Sequence, residues 1–100
     1  MKRTDLPTIA REMRAELAAI PHVERKLDDK FVQLVRRNGR MQLLIGHRDY
    51  CPPLEDAQEI ARVFGVAEQA DLHRGPARIP APNGYDVRVQ AVTFAWSEIA

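Results

Sequence analysis

The sequence predicts an α+β fold in the order α-β-β-α-β-β, with a mostly antiparallel sheet of three or four strands and two helices packed on one of its faces. Three observations carry this reading. Apolar residues recur at helical spacing over residues 5–20 and again over 54–64; two strand-like runs flank Asn38-Gly39; and an alternating run over 85–96 follows a second Asn-Gly at Asn83-Gly84.

The first helix is expected from Asp5 to Ile20. Thr4 or Asp5 is the N-cap, Pro7 sits in the first turn where a missing N–H is tolerated, and Pro21 is the stop. Leu6, Ile9, Ala10, Met13, Leu17 and Ile20 share one stripe, leaving Arg11, Glu12, Arg14 and Glu16 toward water. Residues 22–29 are charged and lack a clear period, so they read as a connection.

Asn-Gly between two strand-like runs favours a type I′ turn, in which both central residues take positive φ. Phe31 to Arg37 and Arg40 to Arg48 then pair with Arg37 opposite Arg40, Arg36 opposite Met41, Leu34 opposite Leu43, Val32 opposite Ile45 and Lys30 opposite His47. Alternate residues of a strand share a side, so Val32, Leu34, Met41, Leu43 and Ile45 form a face for a helix. The opposite face carries Phe31, Gln33, Val35, Arg37, Arg40, Gln42 and Leu44. It is too apolar for plain solvent and too polar for a core. Either the C-terminal Val92-Phe94-Trp96 segment covers it or it meets a partner.

Pro52-Pro53 opens the second helix, which is expected to end near Phe64 with Gly65 at the left-handed position. Its buried stripe is Leu54, Ala57, Ile60, Ala61 and Phe64. Residues 66–72 read as an extended return or a loose turn. Pro76, Pro80 and Pro82 confine residues 77–81 to an edge strand or an irregular extended segment, because proline cannot donate to a ladder. In the last strand, Tyr85, Val87, Val89 and Ala91 alternate before the apolar phase switches to Val92, Phe94 and Trp96. That switch predicts a bulge near Gln90 or burial on both faces.

At 100 residues the chain is expected to be a single domain, 1–100, and a composition 45% hydrophobic and 29% charged excludes wholesale disorder and fibrous classes. Cys51 is the single cysteine, so no internal disulfide forms and a cytoplasmic location is expected. Met1-Lys2-Arg3 leads into Thr4-Asp5-Leu6-Pro7 instead of an apolar run, and Met41 to Ile45 is far too short to span a membrane, so neither a secretory signal nor membrane insertion is expected. Net charge is +1 but unevenly spread: residues 1–50 hold 11 basic and 7 acidic side chains, residues 51–100 hold 4 and 7. Within 25–48 there are seven basic residues against Asp28 and Asp29. Such asymmetry steers a charged partner or lets one half of the fold complement the other.

Motifs with chemistry are sparse. His47 and Cys51 are four apart, and a thiolate needs a nearby base to react; the plainer reading is a small buried cysteine before a helix and a histidine ending a strand. As zinc ligands the two lack a supporting close-spaced pair, so no metal is expected. His47-Arg48-Asp49 spells the start of a kinase catalytic loop, without the other kinase motifs. Glu55, Asp56 and Glu59 fall where a helix dipole favours negative charge. Residues 60–66 resemble the opening of a helix-turn-helix, yet Asp71 stands where an apolar anchor is needed and Gly75-Pro76 would end the recognition helix early.

The function expected is therefore a small non-enzymatic interaction module without a cofactor. It binds another protein, or itself as a homodimer, through Phe31, Gln33, Val35, Arg37, Arg40, Gln42 and Leu44, a mixture of apolar centre and arginine-bearing rim typical of interfaces. The arginine- and alanine-rich composition and small size suit an inhibitor or accessory protein of a phage or mobile element. The alternative is nucleic-acid binding by the basic hairpin, with Arg36, Arg37, Arg40 and Arg48 on phosphates or base edges. Against it stand a pI near 8.0 and the lack of aromatic interleaving.

Overall fold

The computed structural model describes residues 5–66, 68, 70–80 and 86–97. Its elements are helix α1 (Leu6–Leu17), strands β1 (His22–Leu27), β2 (Lys30–Arg37) and β3 (Arg40–His47), helix α2 (Leu54–Val63), and strands β4 (Asp71–Pro80) and β5 (Asp86–Ser97). The expected order holds with one strand added. The sheet has five strands in the order β1-β2-β3-β5-β4, every neighbouring pair antiparallel. Three or four strands is thus corrected to five.

The added strand is β1, within the residues read as a connection. It pairs with β2 along its whole length, from His22 opposite Val35 to Leu27 opposite Lys30, and Asp28 at positive φ turns the chain between them. Val23 and Leu27 are buried, but the position between them on the same side is Arg25. Its guanidinium bonds Glu16 of α1, which raises the arginine pKa further. A cation in the middle position conceals the period of two.

Helix α1 ends at Leu17, three residues before the expected Ile20. Ala19 and Ile20 donate to the Glu16 carbonyl in a closing turn, and Ile20 is 52% exposed instead of completing the buried stripe. Pro21 disfavours helical backbone at the residue before it, and β1 starts immediately afterwards, so the chain must leave the helix axis early. The second helix closes as expected. Gly65, at φ +77, donates to Arg62 and Val66 donates to Ala61, the paired bonds of a Schellman motif.

The β2–β3 hairpin has the expected turn, with Asn38 at φ 52 and Gly39 at φ 76, and the expected register from Arg37 opposite Arg40 to Val32 opposite Ile45. Side chains of α1 and α2 share one buried cluster with Val23, Leu27, Val32, Leu34, Leu43, Ile45, Val92 and Phe94. Met41 and Trp96 pack at its margin.

Strand β5 resolves the phase switch in favour of burial on both faces. Its register with β4 is continuous from Asp86 to Ala95, and with β3 from Gln90 to Ser97, so no bulge intervenes. Val92, Phe94 and Trp96 lie on the helix side, so of the two alternatives for the mixed face, cover by this segment is the one that does not hold. Val87, Val89 and Ala91 lie on the other side and join Phe31, Leu44 and Ala77 in a second, smaller cluster. The apolar phase changes because the packing partner changes. Asn83-Gly84 and Tyr85 lie outside the described residues.

Candidate interaction surface

The face opposite the helix-bearing one can be followed across the strands from the pairing. One row runs His22, Val35, Gln42, Ala95, Asp71; the next runs Glu24, Gln33, Leu44, Thr93, His73; a third runs Lys26, Phe31, Gly46, Ala91, Gly75. The third row has small residues at its centre, and Gly75 takes φ +146, a conformation that only glycine adopts readily. The β4–β5 pairing continues past the end of β3 as a two-stranded arm, from Ala77 opposite Val89 to Pro80 opposite Asp86. Val89 packs down over Gly46, where a β-carbon would lie 3.1 Å from Val89 Cγ2 and 3.2 Å from Leu44 Cδ2. The missing side chain lets the arm settle against the sheet.

Beside this contact lies a groove of about 500 Å³. Gln33, Val35, Arg40, Gln42 and Leu44, five of the seven residues expected to meet a partner, line it. Gln33 and Leu44 are its floor, only 3% and 4% exposed. The Gln33 amide donates to Glu24 at 3.1 Å, which fixes its rotamer. Val35 is half-buried, whereas Arg40 and Gln42 are exposed at the lip. Phe31 is half-buried in the smaller cluster, with the Arg48 guanidinium 5.9 Å from its ring centre. Arg37 stands opposite Arg40 in the hairpin register.

Sequence reasoning missed the remaining walls. His22, Asn38, Ala77 and Arg78 complete the groove. His22 was hidden with the rest of β1, and Ala77 and Arg78 arrive only because the arm curls in. Among the described residues, His22 Nε2 is a buried side-chain polar atom with no hydrogen-bond partner.

The arginines of the nucleic-acid alternative are spread over the molecule. Arg36 is paired with Met41 on the helix side and lines a separate cleft of about 440 Å³ with Arg14 and Trp96. Arg40 opens β3 and Arg48 follows its last residue, His47, so the two stand at opposite ends of the strand.

His47 and Cys51 do not meet as base and nucleophile. His47 Nδ1 accepts from the Asp49 N–H at 3.0 Å, its Nε2 lies 3.7 Å from Asp29, and its ring stacks on Tyr50 with centroids 4.0 Å apart. The Cys51 thiol contacts the Ala91 carbonyl at 3.8 Å and packs at the edge of the main core. The groups around Asp29 form a polar staple between the β1–β2 turn and the segment after β3. Tyr50 donates to Asp29 at 2.6 Å and Lys30 at 3.2 Å. These bonds to the charged carboxylate, the tyrosine's first, hold Asp29 down to about 2 and push Tyr50 up to about 12.

No group of His, Cys, Asp and Glu among the described residues is arranged to hold a metal ion, and no helix among them is long and apolar enough to cross a membrane. From Asp71, within the span a recognition helix would occupy, the chain forms strand β4. Comparison with protein-family models, with curated proteins and with solved structures finds no match.

Proposed function

We propose that this protein is a small non-enzymatic interaction module that takes a segment of another protein against the groove side of its sheet. In this reading both helices cover one face and leave the other, with Phe31, Gln33, Val35, Arg37, Arg40, Gln42 and Leu44, to a partner; the mechanism is occupancy. The observation that carries it is the convergence of five of those residues on one groove of about 500 Å³, a size typical of ligand and side-chain pockets. The composition around it, an apolar floor with arginine and amides at the lip, resembles an interface core and rim. An inhibitor or accessory role in a phage or mobile element, within the cytoplasm, is consistent with this mode of action.

The test is site-specific photocrosslinking in the native host. A photoreactive residue at Gln42 should yield a discrete protein adduct that disappears with Arg40→Glu, and one at Gln58 on α2 should not. Equal labelling from both positions, or none from Gln42, overturns the reading. The homodimer version is read from the same adduct, whose mass would be twice that of the chain. Nucleic-acid binding remains the second reading, favoured by the cluster of basic residues in 25–48; it requires affinity that falls steeply with salt.

A further inference from the structure

The groove has a chemical character beyond its shape. Among the described residues, Arg40 and Arg78 both line it, His22 and three side-chain amides account for its other polar groups, and no acidic residue does. Arg40 and Arg78 are exposed, and neither makes an ion pair among the described residues. By contrast Arg25 is already matched by Glu16, and Lys30 by Asp29. Arg40 and Arg78 thus bring two positive charges to one groove without a carboxylate partner among the described residues.

We infer that the groove's occupant is an acidic, extended segment of a partner protein, its carboxylates received by Arg40 and Arg78 and its backbone by Gln33, Gln42 and Asn38. This inference rests on the protein-binding reading and names the partner's chemistry. Guanidinium groups pair with carboxylates through strong charge-assisted bonds. Amide side chains both donate and accept, which suits a peptide backbone that presents both kinds of group. Val35 and Leu44 supply an apolar floor for one side chain of the segment. A phosphate backbone fits less well. Among the described residues the groove lining has no ring other than His22 on which a base could stack, and single-strand binders depend on such stacking.

Fluorescence anisotropy with three labelled probes tests this on the full chain: a dodecapeptide alternating glutamate and leucine, the same peptide with glutamine for every glutamate, and a twelve-nucleotide oligothymidylate. The glutamate peptide should bind at least tenfold more tightly than either other probe, and Arg40→Glu should remove at least tenfold of that affinity. Arg62→Glu, on α2 away from the groove, should leave it unchanged, and circular dichroism should show all three proteins equally folded. Equal binding of the two peptides, indifference to Arg40→Glu, or preference for the oligonucleotide each overturns the acidic-segment assignment. Failure of all three probes also overturns it; the crosslink from Gln42 then decides separately whether the groove takes a protein of other chemistry.

Discussion

Gly46 sits in β3, the middle strand of the sheet and paired on both sides, where glycine ordinarily weakens pairing, and its neighbours explain why it is there. A β-carbon would meet Val89 Cγ2 at 3.1 Å, Leu44 Cδ2 at 3.2 Å and the Gln90 carbonyl at 3.3 Å. Gly46→Val should therefore destabilise the fold by about 1–3 kcal/mol through overpacking, and a chemical-denaturation midpoint equal to wild type would refute the close approach. Nothing local announces this role, because Val89 is 43 residues away in sequence. Asp29 makes a second residue-level prediction. Its folded value lies near 2 against an ordinary 3.8, so its bonded carboxylate contributes stability above about pH 4 that is lost as pH falls through 2. Tyr50→Phe removes the largest cause of that shift. The stability difference between wild type and variant should then be constant between about pH 5 and pH 9, shrink toward pH 2 as Asp29 is protonated, and shrink again as pH rises from about 10 toward 12 and Tyr50 ionises; a difference independent of pH would mean that the Tyr50–Asp29 bond does not act on the carboxylate.

At the scale of elements, β1 is the informative case. Arg36 donates to the Pro21 carbonyl at 2.8 Å, and the alternation of an antiparallel ladder then directs the N–H groups of Val23, Arg25 and Leu27 toward β2 and those of His22, Glu24 and Lys26 toward the open edge. Hydrogen exchange should show the first three amides protected and the last three fast; uniform exchange across residues 22–27 would return them to a connecting loop. Two apolar residues and a central arginine are too little for period-two recognition, and only the approach of β2 makes the segment a strand. The hairpin and the second helix differ in kind. Asn38-Gly39 and Gly65 act through their own backbone preferences, and those were readable directly. Gly65→Ala should cost about 1 kcal/mol, since alanine at φ +77 is strained whatever its surroundings; an unchanged thermal midpoint would count against the Schellman closure.

Across the whole molecule, two clusters of unequal weight divide the apolar residues. Phe94 lies at 1% exposure in the main core, and Phe94→Ala should cost about 3–5 kcal/mol, a large part of the 5–15 kcal/mol typical of a domain. Val89 belongs to the smaller cluster beneath the arm. Val89→Asp should lift the arm, expose residues 76–80 to protease and abolish groove binding while retaining most helical circular dichroism. Loss of all structure in that variant would mean that the two clusters fold as one unit.

The candidate site follows the same division. The mixed face was legible because Asn38-Gly39 sets a register in which every second residue of β2 and β3 looks the same way, and the pairing observed is the pairing expected. That Leu44 and Gln33 become a floor, that Arg40 becomes a lip, and that His22 and Arg78 become walls depends on β1 at one side and the arm at the other. The sequence by itself determined the helices' apolar stripes, the turn, its register and the α+β class, all consequences of interactions within a few residues of chain. Tertiary structure alone decided the fifth strand, the order β1-β2-β3-β5-β4 and which half of the mixed face stays open. Those outcomes depend on pairings between segments far apart in the chain, where the energy of each contact is set by a neighbour that local pattern does not contain.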